Sequence, residues 1–137
     1  MVAGFTNQED TIYHEISHII DKKLAWDAQI RPEALFSEEG WMALQPDGFR
    51  FIDSYVETPE YVEDYLDTGY FIKEYGMTFP TEDRAVVMET AMMLESRYFE
   101  PGSGLRAKLQ YYAECIRDCF DTEGWPDVLP WERVLTE

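Results

Sequence analysis

The only two histidines of this chain stand four residues apart, in His14-Glu15-Ile16-Ser17-His18, a complete H-E-x-x-H. On a helix, residues at that spacing lie one above the other on one face, so both imidazoles can reach a single ion. Glu15 sits beside them, placed to take a proton from an activated water. The pattern points to zinc-assisted hydrolysis, most simply of a peptide bond, with His14 and His18 as metal ligands and Glu15 as general base. The plain alternative is a solvated helix face. Ile12, Ile16 and Ile19 form an apolar stripe on the same stretch, with His14, His18 and Asp21 roughly opposite, as on an amphipathic surface helix.

A catalytic zinc takes three protein ligands and keeps one position open. With both histidines used, the third ligand must be a carboxylate, and there are 28 acidic residues to choose from. A carboxylate ligand is expected from a second helix packed against the first. Thr81-Glu82-Asp83-Arg84-Ala85 opens such a helix, and Glu89 follows two turns after Glu82 on the same face. Either could point at the histidines. Glu82 could instead complement the dipole of its own first turn, and Glu89 could face solvent. The residues alone leave this choice open.

Ligand histidines usually give their second ring N–H to a carboxylate or carbonyl. Asp21, three residues after His18, could accept it, or could face solvent ahead of Lys22-Lys23. Arg84 could pair with Asp21, with another acidic residue near the metal, or with a substrate carboxylate.

These residues need helices to hold them, and the patterning supplies a mainly α chain with little or no sheet. A first helix is expected from about Asn7 to Leu24, capped by Thr6 or Asn7. The stretch 25–53 is irregular, broken by Pro32, Gly40, Pro46 and Gly48, with a short strand at Phe49-Arg50-Phe51-Ile52. Thr58-Pro59-Glu60 starts a short helix to about Leu66. Thr81 caps a long helix running to about Tyr98. A further helix from Ser103 to Phe120 carries Leu105, Leu109, Tyr112, Ile116 and Cys119 at core spacing. The tail, with Trp125-Pro126 and Pro130-Trp131, is extended and packs across the helices. No linker divides the chain, so residues 1–137 read as one domain.

At 137 residues and 45% hydrophobic, the chain can bury a real core. No apolar run reaches the length that spans a bilayer. The first six residues lack the basic start and apolar middle of a secretory signal. A net charge of −17 repels nucleic acid and anionic membrane surfaces and would favour cationic or neutral substrates, though its plainer meaning is solubility. Cys115 and Cys119, the only cysteines, lie four apart on one helix and read as free thiols.

The segment Tyr75-Gly76-Met77-Thr78-Phe79-Pro80-Thr81-Glu82-Asp83-Arg84-Ala85, downstream of His14-Glu15-Ile16-Ser17-His18-Ile19-Ile20-Asp21, resembles the gluzincin group that includes anthrax lethal factor and the clostridial Pro-Pro endopeptidases. In that group a tyrosine seven residues before the ligand glutamate completes the site, and a Glu-x-x-Ala opens the second helix; Tyr75, Glu82 and Ala85 match. The resemblance implies Glu82 as third ligand, Tyr75 as donor to the developing oxyanion, and Glu89 as a supporting residue behind the ligands. The whole chain is more similar still to the zinc-binding metallopeptidase family of gut Firmicutes, many of them predicted lipoproteins. The likeness lies in Thr11 to His18, in Phe79 to Ala85, and from Tyr111-Tyr112 through Trp131-Glu132. It implies a compact zincin-like helical domain, bound Zn2+, a peptide or protein substrate and an extracytoplasmic parent protein. Zincins place sheet structure before the H-E-x-x-H helix, so an upstream piece is expected to be absent or reduced here.

Two further readings compete with the peptidase. One is a non-catalytic zinc-binding envelope or interaction module that keeps the metal for stability. The other is a metal-free helical interaction domain. Glu15 and Tyr75 favour catalysis, since neither is needed merely to hold zinc.

Overall fold

Pro32 sets the end of the first helix. The residue before a proline is pushed out of the α region, so the helix that carries His14 and His18 runs on past Leu24 and stops at Ile30. The computed structural model describes the backbone of residues 2–136 and the side chains of residues 9–136. Helix α1 spans Val2–Ile30. It is longer at both ends than the spacing suggested. Its backbone is already helical at Thr6 and Asn7, whose side chains, and so any cap from them, lie outside the described residues. Arg31 pins its C-terminal end. The guanidinium donates to Asp27 one turn back and to Asp118, 2.6 Å away on another helix.

Helix α2 is Glu38–Met42, capped by Ser37, whose hydroxyl accepts from the Gly40 N–H at 2.9 Å. Helix α3 is a single turn, Val62–Tyr65, shorter than expected from Thr58-Pro59-Glu60. Among the described residues there is no strand. Along this stretch the successive N–H groups of Ile52 and Asp53 pair with the carbonyls of Met77 and Thr78, while the Phe49 N–H returns locally to the Pro46 carbonyl. Two such bonds hold the loop down without making a ladder.

Helix α4, Pro80–Met92, is the centre of the molecule, and every residue from Glu82 to Ala91 on it is buried. Proline takes the first helical position, where its missing N–H costs nothing, and Phe79 is the N-cap in place of the expected Thr81. The helix ends well before Tyr98. Leu94 takes a left-handed conformation at φ 59°, and the N–H groups of Leu94 and Glu95 return to the carbonyls of Ala91 and Thr90. That is a Schellman ending, normally marked by glycine, which is why a leucine there gave no stop signal.

Helix α5, Gly104–Cys119, matches its expected bounds, with Ser103 accepting from the Arg106 N–H at 3.1 Å as cap. The tail folds back as a 3-10 helix, Pro130–Leu135, packed on α4 and α5. Arg117 of α5 clamps it through Glu132 at 2.6 and 2.7 Å. Cys115 and Cys119 are free thiols.

Two apolar clusters flank α4. Leu24, Phe36, Trp41, Met88, Tyr112 and Ile116 meet on one side, and Val87, Phe99, Leu105, Leu109 and Val134 on the other. Leu24 is fully buried, so Leu24→Ala would leave a cavity costing about 2–5 kcal/mol. No helix of the described residues is long and apolar enough to cross a membrane.

Candidate metal centre

Helix α1 turns its polar face inward. His14, Ser17, His18, Asp21 and Leu24 face the body of the protein, while Ile12, Ile16 and Ile19 face outward. This inverts the solvated-histidine alternative. The reason lies in α4, the helix α1 packs on most closely: its buried face is charged and needs polar partners.

The Ser17 hydroxyl lies 2.7 Å from that of Tyr112 on α5, and both are buried. That bond fixes the rotation of α1 and aims the imidazoles on either side of Ser17 at Glu82. His14 Nε2 is 2.9 Å and His18 Nε2 is 3.0 Å from Glu82 Oε1. The three donor atoms lie within 4.8 Å of one another. On its other side, His14 Nδ1 lies 2.9 Å from Glu89 Oε1, and Lys73 reaches the same carboxylate oxygen at 3.6 Å. The hydrogen bond to Glu89 is the main cause of a raised His14 pKa, overcoming the opposing effect of burial, with Glu82 adding to it. Burial pushes the Glu82 carboxyl up, but the Tyr55 hydroxyl, His14 and His18 outweigh it and hold the group below its ordinary value.

Two imidazole nitrogens and one carboxylate oxygen converging on one point are the donor set of a catalytic zinc site, so His14, His18 and Glu82 fit a divalent transition metal. Glu89 occupies the place of the carboxylate that orients a ligand imidazole from behind. Asp21 does not take that part. It lies close enough to His18 to feel its charge, but its Oδ1 accepts from Arg84 Nε at 2.8 Å. Arg84 also donates to both oxygens of Glu38, at 3.1 and 3.2 Å, and stacks over Phe36 and Trp41. Of the partners considered for Arg84, the structure therefore pairs it with Asp21 and adds Glu38. Asp83, next along α4, is fully enclosed by Lys108, Gln45 and the Trp41 indole N–H. These pairs lock α4 in rotation, and so set where Glu82 points.

Tyr75 stands beside His14, its ring centroid 5.8 Å from that of the imidazole. Partial burial and the charge of Glu82 push its phenol up to about 12, so it stays a proton donor at neutral pH. Glu15 is exposed beside it, near enough for its charge to act on Tyr75. The sequence reading missed Tyr55. Its hydroxyl donates to Glu82 Oε2 at 2.7 Å, and its ring packs on Phe79 with centroids 4.6 Å apart. No spacing rule marks Tyr55, since it arrives on the irregular stretch between α2 and α3.

Two open cavities flank the cluster. One of about 460 Å³ is walled by His18, Asp21, Glu38, Tyr55, Glu82 and Arg84. The other, of about 330 Å³, is walled by Asp10, His14, Lys73, Tyr75 and Glu89. No family model, curated protein or solved structure matches this chain.

Proposed function

We propose that this protein is a zinc-dependent peptidase of the gluzincin type, with a peptide or protein as substrate and an extracytoplasmic place of action. The carrying observation is the convergence of His14, His18 and Glu82 with Glu15 on the adjoining helical position and a phenol beside His14. When bound, zinc would polarise a carbonyl and bring the pKa of water to about 7. The chain's own residues do the rest. Glu15, exposed next to His14, takes the proton of the attacking water and returns it to the leaving amine. Tyr75, kept protonated, donates its hydroxyl to the oxygen that gains charge; a lost donor of this kind costs roughly 3–4 kcal/mol. Glu89 holds the His14 ring from behind and leaves Nε2 for the metal. The open cavity beside Glu82 and the one beside His14 are where this reading seats the two sides of the substrate.

Glu15→Gln is the direct test. It keeps the side-chain shape and is not a ligand, so zinc content stays at wild-type level while cleavage of a peptide library falls by roughly 100-fold or more. Equal cleavage by wild type and Glu15→Gln overturns this mechanism. A zinc-loaded wild type that cleaves nothing moves the protein to the non-catalytic zinc-binding module.

A further inference from the structure

The outer face of α1 carries a pattern that the metal centre does not use. Ile12, Ile16, Ile19, Trp26 and Ile30 fall in one register of alternating three- and four-residue steps, and Glu9 and Lys23 fill its two remaining places. That is the 3.5-residue repeat of a helix-pairing seam, narrower than the stripe a helix shows to a globular core. The apolar members are exposed: Ile12 55%, Ile16 41%, Ile19 68%, Trp26 59% and Ile30 63%. The opposite face of α1, with Ser17, Asp21 and Leu24, packs on α4 and α5, so the seam is no part of this chain's own core. Isolated surface apolar residues are ordinary, but five exposed apolar residues in one register of a helix, interrupted only by Lys23, mark an interaction.

The two polar places say what the partner is. They have opposite charge, and they bracket Ile12, Ile16 and Ile19. We propose that α1 pairs with α1 of a second copy of this chain, antiparallel, about a two-fold axis between Ile16 and Ile19. In an antiparallel seam, layers join the two kinds of seam position. Ile16 then packs on the partner's Ile19. Ile12 lies on the methylenes of the partner's Lys23, and that ammonium reaches back to Glu9 of the first chain, in the next layer beside the partner's Trp26. The two-fold axis makes each of these contacts twice. A parallel pair in register would instead set Glu9 against Glu9 and Lys23 against Lys23, and like charges facing each other disfavour it. The net charge of −17 per chain opposes association at low salt, but at 0.15 M that repulsion is screened beyond about 8 Å, while the seam contacts are closer. His14 and His18 face away from the seam, so pairing leaves the metal ligands free and does not depend on what they bind.

Sedimentation of the purified full chain at roughly 10–100 µM, a range suited to a modest helix-pairing interface, tests this. The expected result is a species of twice the 16.1 kDa chain mass. Ile16→Glu puts a charge at the centre and should give monomer with unchanged far-UV circular dichroism. Glu9→Lys and Lys23→Glu should each weaken pairing roughly tenfold or more, by setting like charges together, and the double variant should restore it. The charge exchange keeps the test sharp should Ile16→Glu disturb the fold. A wild-type monomer at the top of the range, a dimer indifferent to Ile16→Glu, or single charge variants that pair as well as wild type each overturn the proposal. The last would mean a parallel or unrelated interface. A monomer that binds an apolar helix of another protein on this face would overturn it as well.

Discussion

Glu82 and Glu89, two turns apart on α4, approach opposite nitrogens of the same imidazole, each 2.9 Å from His14. One carboxylate stands where a ligand would, the other where a support would. The difference comes from which nitrogen each reaches. Nε2 of His14 points at the oxygen that also meets His18, whereas Nδ1 points away from it. The two glutamates therefore separate by experiment.

Glu82→Ala removes the carboxylate that meets both histidines, and zinc content measured by elemental analysis should fall well below one per chain. Glu89→Ala leaves the three donor atoms and loses the orientation of His14. Its zinc affinity, from competition with a chelator, should fall roughly 10–100-fold while saturation is still reached. Loss of metal in Glu89→Ala with retention in Glu82→Ala would reverse the assignment.

Tyr55 and Tyr75 are to be compared as phenylalanine variants. Tyr75→Phe should keep zinc and lower kcat more than it changes KM, because its hydroxyl is assigned to the transition state. Tyr55→Phe removes a bond to Glu82, the proposed third ligand, and should act chiefly through weaker metal affinity. If Tyr55→Phe lowers kcat at full zinc occupancy while Tyr75→Phe does not, Tyr55 is the donor.

Arg84 is 1% exposed and bridges Asp21 of α1 to Glu38 of α2. Arg84→Met leaves a buried carboxylate without its cation and should cost about 3–5 kcal/mol in urea unfolding. Adding Asp21→Asn should recover part of that loss, since the two residues act as one unit. A cost below about 1 kcal/mol would mean that this pair does not hold α1 on α4.

Metal-free protein should lose stability as pH rises above about 6.5. His14 has its folded pKa raised above the unfolded value of 6.5 by Glu89, so its contribution is complete below that value and fades as pH climbs through the folded pKa. Zinc competes with the same proton, so apparent zinc affinity should rise over the same span. Melting curves of chelator-treated protein check the first statement. A melting temperature that rises with pH would contradict it.

The thiols differ in environment. Burial pushes Cys115 up to about 12, so at pH 8 almost none of it is thiolate. An aromatic disulfide reagent should therefore leave Cys115 unreacted in native protein and count two thiols after denaturation. Fast modification of Cys115 would show α5 to be open there.

Much of the helical frame was legible in the sequence. The bounds of α5 near Ser103 and Phe120, its core spacing, and the acidic first turn of α4 at Glu82 and Asp83 are local signals, set by backbone geometry within a few residues. Helix ends were less legible. Leu94 stops α4 in a conformation that usually asks for glycine, and α1 continues to Ile30 on contacts that Arg31 makes with Asp118, 87 residues away. Such contacts do not show in a local window.

For the candidate centre, sequence alone determined that His14 and His18 share a face, that only a carboxylate could join them, and that Glu82 and Glu89 were the two to weigh. Only the tertiary structure decided which face of α1 turns inward. The apolar stripe argued for Ile12, Ile16 and Ile19, yet the buried charges of α4 and the Ser17–Tyr112 bond bring the polar face in. Periodicity reports that a helix has two unlike faces; which of them is buried depends on the surface it meets. Here that surface carries Glu82, Arg84 and Glu89, and burying those groups without partners would cost more than keeping three isoleucines outside the core.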